Sequence, residues 1–363
     1  MNRILLLAAD LCSGGAERQM VTVAGLLKIK GYDVVVYCYD QANFYEPLLR
    51  EMGIPVVWEI EQHNYIKRVQ NVRRHIRKGK YDAIISFLPT CNFLNNVSAI
   101  GKHSWKVITG ERSSRESTFT SRQGKFFGWL QRYSDFIVCN SQNACHMWRK
   151  RHPNYTDKLK VIYNCVQLGT IHSEYKPKKD GKLHLIVAAT YQYLKNPLGL
   201  VKALSLMDDS ERNSVLIDWY GRKEMSGGDT KAYDDTAEAI KQNNLENVLV
   251  LHPDTSDIAD KMNQADAVML LSHFEGLPNA ICEGMMLGKP IIMTRVSDYD
   301  VIVDDSNGFL CDWDNPESIK VAILSMEQLS LDQLRMMGES SKTKATELFS
   351  AGVITEQWEA VIN

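Results

Sequence analysis

The sequence predicts an α/β fold of two Rossmann-like, doubly wound domains that face each other across a deep cleft. A chain of 363 residues exceeds one ordinary core, and at about 150 residues per domain two domains are expected. Strand and helix patterns alternate through both halves, which favours parallel sheets. A polar segment at 169–182 interrupts this alternation. Ligands of such sheets bind beyond the carboxyl ends of the strands, so two facing domains would share one cleft.

The first domain is predicted at 1–170, where short apolar runs alternate with segments of helical spacing. Arg3–Asp10 is apolar enough for a strand buried on both faces. Ala16–Lys30 has helical spacing and ends at Gly31, a typical helix stop. Further strands are predicted at Asp33–Tyr39, Tyr81–Phe87, Trp105–Thr109, Asp135–Asn140 and Lys160–Tyr163. Further helices are predicted around Glu46–Met52, Tyr65–Lys78, Asn92–Ile100, Lys125–Tyr133 and Gln142–Arg149.

A linker is predicted at 171–182, a polar stretch that includes Pro177 and Gly181 and lacks periodicity. The alternation of strands and helices resumes in a second domain at 183–349. Its strands are predicted at Leu183–Thr190, Ser214–Tyr220, Asn247–His252, Asp266–Ser272, Lys289–Arg295 and Gly308–Asp312. Its helices are predicted near Pro197–Met207, Asp234–Asn243, Ile258–Asn263, Asn279–Met286, Pro316–Gln328 and Leu331–Phe349.

The composition, 44% apolar and 24% charged, is typical of a soluble globular protein. No stretch approaches the roughly 18 apolar residues of a membrane span. The start, Met1–Leu11, contains only a short apolar run, which does not suit a secretion signal. The eight Cys are scattered without a Cys-x-x-Cys pair or the spacing of zinc ligands. We therefore expect a cytoplasmic protein with reduced thiols and no bound metal.

The formal charge of −2 conceals an uneven distribution. Residues 1–175 contain 24 Lys and Arg against 14 Asp and Glu, whereas residues 176–363 contain 18 against 30. A basic half followed by an acidic half favours two domains with different partners, one of them anionic. Nucleic acid is not an expected partner, because the basic residues are dispersed and the second half is acidic.

A glycine pair follows the first predicted strand, in Leu11-Cys-Ser-Gly-Gly-Ala-Glu-Arg18. Gly14 and Gly15 permit close approach of a ligand to the backbone, and the next helix offers amides and the positive end of its dipole. A phosphate or a sugar hydroxyl would fit there, and an ordinary tight turn is equally consistent. The spacing is not Gly-x-Gly-x-x-Gly, so a dinucleotide site is not predicted.

Two glutamates lie eight positions apart in the second half, in His273-Phe-Glu275-Gly-Leu-Pro-Asn279-Ala-Ile-Cys-Glu283-Gly-Met-Met-Leu-Gly288-Lys-Pro290. Glu275 follows a predicted strand, Glu283 lies inside the next helix, and the turn between them is at a helix N-terminus. Each carboxylate can bind a different diol, while the turn amides bind a diphosphate or hydroxyls. The alternative is a capped surface helix with two solvated glutamates, but the Gly-Leu-Pro turn and the Gly-Lys-Pro exit favour the binding site.

This pattern resembles the signature of the family 4 retaining glycosyltransferases, which have the GT-B fold. Four other segments are similar to landmarks of that family in the same order: GGAER at 14–18, Asn140-Ser141, VIYNCV at 161–166 and NGFLCD at 307–312. The resemblance implies transfer of a sugar from a nucleotide-diphosphate sugar, with retention of configuration and without a required metal or other cofactor. UDP is the nucleotide we expect. The resemblance also implies that a final helix, 350–363, crosses back onto the first domain.

Roles for individual residues follow from the resemblance. Glu283 would bind the ribose hydroxyls of the donor, and Glu275 would bind hydroxyls of its sugar near the reacting carbon. Lys195, in TYQYLKNP, would neutralise the leaving diphosphate. The turn residues whose amides would support the sugar and the diphosphate are Gly276, Leu277, Pro278 and Asn279.

Two places depart from the family's pattern. Thr190 stands where relatives commonly have an Arg for the diphosphate. Thr190 remains a predicted donor contact, and Arg222 is the predicted catalytic replacement, with a solvated loop charge as the alternative. In the first domain many relatives have a His at the donor sugar. This chain instead has Glu111 and Arg112, which we predict to contact the acceptor or the donor.

The predicted acceptor is a glycan, or a glycan linked to a lipid diphosphate, in the synthesis of a surface polysaccharide such as capsule or lipopolysaccharide. The segment 119–133 combines aromatic and basic residues. If Phe126 packs inward, Phe127 and Trp129 lie outside beside Lys125, which suits a membrane interface. We therefore expect peripheral contact with an anionic membrane, at the inner face of the cytoplasmic membrane.

Two other functions remain open on sequence alone. A nucleotide-sugar 2-epimerase shares the two-domain fold, but it would keep several acid/base residues in the cleft, and EGLPNAICE fits it less well. A two-lobed sugar-binding protein would need an export signal and would lack this pair of glutamates. Release of nucleotide diphosphate that depends on an acceptor separates a transferase from both.

Overall fold

Both halves of the chain form parallel β-sheets, as the alternation of strands and helices predicts. The computed structural model describes residues 2–60, 64–112, 116–225 and 227–363, without the side chains of Ser117, Thr118 and Lys179. The chain divides into two units, Met1–Cys165 with Ala351–Asn363, and Val166–Ser350. Among the helices of the described ranges, none combines the length and the apolar character that a membrane crossing requires.

The first unit is built on a seven-stranded parallel sheet. Its strands are β1 (Arg3–Ala8), β2 (Asp33–Cys38), β3 (Val56–Trp58), β4 (Ala83–Phe87), β5 (Lys106–Glu111), β6 (Phe136–Cys139) and β7 (Leu159–Val161). They pair in the order β3-β2-β1-β4-β5-β6-β7. The direction of winding reverses between β1 and β4, and ligands of doubly wound sheets bind at such a point, beyond the carboxyl ends of the strands.

Seven helices of the first unit connect these strands. They are α1 (Gly15–Ile29), α2 (Glu46–Glu51), α3 (Tyr65–Lys78), α4 (Pro89–Ala99), α5 (Ser117–Thr120), α6 (Arg122–Leu130) and α7 (Gln142–Arg151). Asn64, Ser121 and Ser141 start α3, α6 and α7 by accepting a hydrogen bond from an amide of the first turn. The 3₁₀ turns Gln131–Tyr133 and Pro153–Lys158 follow α6 and α7.

The second unit is built on a six-stranded parallel sheet, in the order β10-β9-β8-β11-β12-β13. Its strands are β8 (Leu183–Ala188), β9 (Val215–Tyr220), β10 (Leu249–His252), β11 (Ala267–Leu270), β12 (Ile291–Thr294) and β13 (Gly308–Cys311). Its helices are α8 (Pro197–Ser205), α9 (Asp209–Asn213), α10 (Lys231–Gln242), α11 (Ile258–Gln264), α12 (Asn279–Met286), α13 (Tyr299–Ile302), α14 (Pro316–Glu327) and α15 (Leu331–Phe349). Two 3₁₀ turns complete it, Lys179–Gly181 and Tyr193–Lys195.

The last helix, α16 (Ala351–Ile362), belongs to the first unit. Trp358 of this helix is buried, and its ring centroid lies 5.9 Å from that of Phe87 at the end of β4. Glu359 accepts a hydrogen bond of 3.2 Å from the hydroxyl of Tyr32. Apolar packing and this polar contact therefore fix the end of the chain on the unit in which the chain begins.

The boundary between the units lies earlier than the predicted linker, between Cys165 and Val166. Much of the segment predicted as a linker is anchored on the second unit. The amides of His172 and Ser173 both donate to Asp260 Oδ1 at 2.8 Å, and the Tyr175 hydroxyl donates to an Asp266 carboxylate oxygen at 2.9 Å. Polar composition alone could not distinguish a free linker from a segment that the carboxylates of Asp260 and Asp266 bind to the second unit.

In α6 the predicted orientation, inward or outward, is wrong for Phe126 and Phe127. Phe126 is exposed, whereas Phe127 is partly buried against the core of the first unit. The helix begins at Arg122, capped by Ser121, and not at Lys125 as predicted. The prediction placed Phe126 on the inward face of the helix, but Phe127 occupies that face, together with Leu130.

Candidate functional site

A largely buried ion pair joins two of the predicted catalytic residues in the second unit. Lys195 Nζ lies 2.5 Å from Glu275 Oε1, and the two side chains are only 20% and 13% exposed. Ser272 Oγ donates to the same carboxylate oxygen at 2.6 Å. Charge-assisted hydrogen bonds of this kind are short and strong, so the carboxylate is held in one position. An ammonium has three N–H donors, so Lys195 can serve Glu275 and a further anion.

Two loops at the carboxyl edge of the second sheet bring this pair together. Lys195 ends a 3₁₀ turn that follows β8, and Glu275 lies in the loop after β11. The two strands are neighbours in the sheet. The amide of His273 donates to the carbonyl of Leu194 at 2.9 Å, which ties one loop to the other. The pair therefore lies where a ligand of a doubly wound sheet is expected.

The turn Gly276–Asn279 leads into α12, and Glu283 lies one turn further along that helix, partly buried. Ser297 Oγ donates a hydrogen bond to the carbonyl of Gly276. The positive end of the α12 dipole, at Asn279, therefore follows Glu275 of the Lys195–Glu275 pair closely along the chain. Pro278 has no amide hydrogen, so its contact with the donor, which stays a prediction, does not use a backbone N–H group.

The position beside Thr190 is taken by the backbone of Arg222. The amide of Tyr191 donates to the carbonyl of Arg222 at 3.1 Å. A Cβ on Gly221 would lie 1.9 Å from the carbonyl oxygen of Ala189 and 3.1 Å from Thr190 Cα, so this close approach requires glycine. The Arg222 side chain is exposed. The role of Arg222 at the diphosphate stays a prediction. It is favoured by the closeness of the Arg222 backbone to Thr190, the position of the arginine that the family resemblance implies.

Gly14 and Gly15 form the start of α1 in the first unit, with carboxylates close by. A Cβ on Gly14 would lie 2.1 Å from Glu17 Oε2. Among the described residues, Asp10, Cys12 and Glu17 form the cluster with metal-like spacing, their ligand atoms lying within 4.8 Å of one another. Burial, and to a lesser degree the charge of Asp10, raises the pKa of Glu17. Of the two ligands left open for this turn, the local charge favours a sugar hydroxyl over a phosphate.

Glu111 ends β5 with its side chain buried inside the first unit. Asn92 Nδ2 donates to Glu111 Oε1 at 3.2 Å and to the carbonyl of Gly110 at 3.0 Å. Burial raises the pKa of Glu111 to about 7, although hydrogen bonds favour its charged form. The carboxyl is part of an internal polar network, and its contact with an acceptor or donor stays a prediction.

Arg112 provides a fixed cation at the carboxyl edge of the first sheet. Its guanidinium carbon lies 3.8 Å from the ring centroid of Phe87, and Nη1 donates to Asn164 Oδ1 at 3.0 Å. Burial lowers the pKa of Arg112 to about 10, so the side chain remains charged at neutral pH. Its buried Nε has no hydrogen-bond partner in the part of the chain that the structure describes.

Sequence reasoning missed three residues that position the site in the second unit. Ser272 holds Glu275, and Ser297 holds the turn that follows. Asn196 adopts a left-handed φ of 63° between Lys195 and α8, and its Nδ2 donates to the carbonyl of Trp313 at 2.8 Å. The polar residue at the end of a predicted apolar strand was the available signal for Ser272. The contacts of the other two join segments that are distant in sequence.

Two family models match the chain in succession. Residues 13–169 match the model described as Glycosyltransferase Family 4, and residues 170–344 match the model described as Glycosyl transferases group 1. Their junction falls close to the boundary between the two units. Together they cover both sheets except β1, and they include the site around Glu275.

Single relatives give the same result. The chain is 28% identical over 220 residues to the uncharacterized glycosyltransferase MJ1178 of Methanocaldococcus jannaschii, which covers 60% of this chain and 56% of that protein. It is 22% identical over 383 residues to the GalNAc-alpha-(1->4)-GalNAc-alpha-(1->3)-diNAcBac-PP-undecaprenol alpha-1,4-N-acetyl-D-galactosaminyltransferase of Campylobacter jejuni, with 99% and 97% coverage. The crystal structure of Anabaena Alr3699/HepE in complex with UDP and glucose has a similar fold, with a TM-score of 0.84, 17% identity and coverage of 100% and 99%. This chain belongs to the family 4 glycosyltransferases, which have the GT-B fold.

Proposed function

We propose that this glycosyltransferase moves a sugar from a UDP-sugar, with retention of configuration, to a glycan carried on a lipid diphosphate during surface polysaccharide synthesis. One observation carries the proposal. The largely buried Lys195–Glu275 pair stands at the carboxyl edge of the second sheet, immediately before the turn that leads into α12 and Glu283. This arrangement offers a cation for a diphosphate and two carboxylates for hydroxyl groups.

The donor is assigned to the second unit. Glu283 binds the ribose hydroxyls, and Glu275 binds hydroxyls of the transferred sugar. The amides of Gly276, Leu277 and Asn279 lie at the positive end of α12 and support the sugar and the diphosphate. Crystal structures of similar fold have been determined in complex with UDP and with UDP-glucose, which supports this nucleotide for the present chain.

The reaction takes place on one face of the sugar. The bond between the anomeric carbon and the diphosphate oxygen breaks, and its electron pair leaves with the diphosphate. The acceptor hydroxyl attacks from the same face, and its proton passes to a diphosphate oxygen. In this scheme Glu275 positions the sugar and does not attack it, and Lys195 and Ser272 hold the carboxylate through its Oε1 atom.

No metal is assigned to this reaction. The negative charge that develops on the leaving diphosphate is stabilised by Lys195, by Arg222 and by the end of α12. Donors that are fixed in place before the reaction stabilise such charge without reorganisation. In the first unit, we assign Arg112, which Asn164 and Phe87 hold in place, to a contact with the acceptor or the donor sugar.

The acceptor proposal rests on the relatives. The Campylobacter jejuni relative is named as a glycosyltransferase for a glycan linked to undecaprenol diphosphate. A second relative, of Erwinia amylovora, is named for amylovoran biosynthesis. An acceptor of this class is anchored in a bilayer, so the enzyme would work at the inner face of the cytoplasmic membrane.

Replacing Glu275 with Gln tests the assigned site. The variant keeps the size of the side chain and removes its charge, so it should still bind UDP while transfer falls by a factor of about 10² or more. Transfer is measured as UDP released in the presence of an acceptor. Normal turnover by this variant would remove Glu275 from the reaction. A nucleotide sugar epimerised at C2, without acceptor, would instead point to an epimerase.

A further inference from the structure

Four hydrophobic side chains are exposed together on one side of the first unit. Ile66 is 70% exposed, Phe126 51%, Tyr65 47% and Trp129 45%. The buried ring of Phe93 lies between two of them, with its centroid 6.0 Å from that of Tyr65 and 6.1 Å from that of Phe126. Phe126 in turn stacks on Trp129 at 6.2 Å. We name the four exposed residues the aromatic face.

The aromatic face lies on α3 and α6, and α4, which carries Phe93, packs against both of them. Together the three helices contain eight Lys and Arg and no Asp or Glu. Arg73 and Arg77 donate to carbonyls at the end of α4. The side chains of Lys67, Arg74 and Lys125 are exposed. Arg132, just after α6, lies over Trp129 with its guanidinium carbon 4.4 Å from the ring centroid.

We propose that the aromatic face docks on an anionic bilayer, with its side chains in the interfacial layer and the surrounding basic residues at the headgroups. Aromatic residues are enriched at that depth, and lysine and arginine side chains beside an apolar face pair with anionic lipid. Each basic residue close to such a surface strengthens binding about fivefold. The three helices, with eight basic and no acidic residues, give the region around the aromatic face a net positive charge, which is complementary to anionic lipid.

The position in the fold is consistent with this occupant. Helices α3, α4 and α6 begin after β3, β4 and β5, so their first turns lie toward the carboxyl edge of the first sheet. Tyr65 and Ile66 are in the first turn of α3. A bilayer on this side would lie near the edge where Arg112 is held. The inference rests on the proposed function in one respect, since it requires an acceptor that is anchored in the same membrane.

Co-sedimentation with vesicles tests the proposal. The full chain should bind vesicles of equal parts phosphatidylglycerol and phosphatidylcholine at low salt, and bind much less to phosphatidylcholine alone. Binding should weaken at roughly 0.5 M salt, because screening shortens the reach of surface charge. The double variant Phe126→Ser, Trp129→Ser should lose about tenfold or more in vesicle affinity.

A matched control comes from the second unit. Leu331 and Met336 on α15 are 51% and 62% exposed, so Leu331→Ser with Met336→Ser removes a comparable amount of exposed apolar surface. This control should bind vesicles like the native chain. Both double variants should keep their thermal midpoint and their transfer to a water-soluble acceptor, which excludes misfolding as the cause of lost binding.

Three results would overturn the proposal. The first is no vesicle binding by the native chain at low salt. The second is equal binding by the native chain and the Phe126/Trp129 variant. The third is a native dimer that does not bind vesicles and that this variant converts to a monomer. The last would identify the aromatic face as a contact between two copies of the chain. Failure of sugar transfer with every acceptor, while the vesicle results hold, would count against the proposed function alone.

Discussion

Removal of the Arg222 guanidinium should disable sugar transfer while leaving the fold intact. Relatives commonly use an arginine at the position of Thr190, and the backbone of Arg222 lies beside it through the close approach at Gly221. The Arg222 side chain is exposed, so Arg222→Ala should change the free energy of unfolding by no more than about 0.5 kcal/mol. Any large effect on turnover then reports on the chemistry.

The expected magnitude follows from the charges around the diphosphate. Lys195 Nζ lies 2.5 Å from Glu275 Oε1, so the positive charge of the lysine is largely balanced by the carboxylate. A leaving diphosphate with two or more negative charges therefore requires a cation in addition to Lys195. Loss of one preorganised donor to developing negative charge lowers kcat by a factor of about 10²–10³. We expect a decrease of that size for Arg222→Ala.

The assay is release of UDP from a UDP-sugar in the presence of acceptor, with kcat and KM measured separately. Lys223, the next residue, is the matched control. Its Nζ lies 4.3 Å from the ring centroid of Tyr233, so a cation–π contact already holds its charge. Lys223→Ala should leave kcat within about threefold. A second variant, Thr190→Arg with Arg222→Ala, restores the family's arrangement and should recover at least tenfold of the lost rate.

Equal rates for Arg222→Ala and Lys223→Ala would refute the reasoning, since the two variants remove the same charge from adjacent positions. Failure of Thr190→Arg to restore any activity to an impaired Arg222→Ala enzyme would show that Arg222 acts somewhere other than at the diphosphate. Both results leave the family assignment unchanged, because it does not depend on Arg222.

Further predictions concern the donor, metal and the buried acid. UDP at about 100 times its Kd should stabilise the chain by roughly 2.7 kcal/mol in thermal unfolding, and Glu283→Gln should remove most of that shift if it binds the ribose. Replacement of Lys195 by Met should lower kcat by about 10² and also destabilise the chain, because Glu275 is left largely buried without its cation. A chelator such as EDTA should leave turnover unchanged, and loss of activity that a divalent cation restores would disprove the metal-free scheme. Burial raises the pKa of Glu111 from 4.5 to about 7, so the protonated form stabilises the folded chain below pH 4.5 and that contribution is lost as pH rises to 7. Relative to the native chain, Glu111→Gln should therefore gain up to about 3 kcal/mol of stability over that range, and a pH-independent difference in urea unfolding would contradict the burial argument.

Strand and helix positions were largely predictable because parallel sheets require nearly continuous apolar runs. Arg3–Asp10 and Ala16–Lys30 differ from the observed β1 and α1 by at most two residues at either end. Val56–Trp58 was not predicted, since this edge strand has three residues and is only partly buried. An edge strand is covered on one side only, so its hydrophobic signal is weaker.

The phase of a short helix was harder to predict. In α6 an aromatic pair, Phe126 and Phe127, offers two possible inward stripes. Ser121 accepts from the amide of Gly124 at 3.0 Å and starts the helix earlier than predicted. Propensity gave no preference between the two rings, and the surrounding core selected Phe127.

In the candidate site, too, some features could be predicted from the sequence and others could not. Glu275, Glu283 and Lys195 could be found because their spacing and neighbours form a pattern along the chain. The Lys195–Glu275 contact could not be predicted, because it depends on the pairing of β8 with β11 across an intervening stretch of the sequence. The burial of Glu111 had no sequence signal either, since a polar residue after a strand is usually exposed.

The most direct test of the central claim is the product of one reaction. The native chain is incubated with a UDP-sugar and a lipid-diphosphate-linked glycan, UDP release is followed, and the anomeric configuration of the new linkage is read by NMR. We predict UDP release that requires the acceptor and a linkage with the configuration of the donor. An inverted linkage, or UDP release at the same rate without acceptor, would contradict the account.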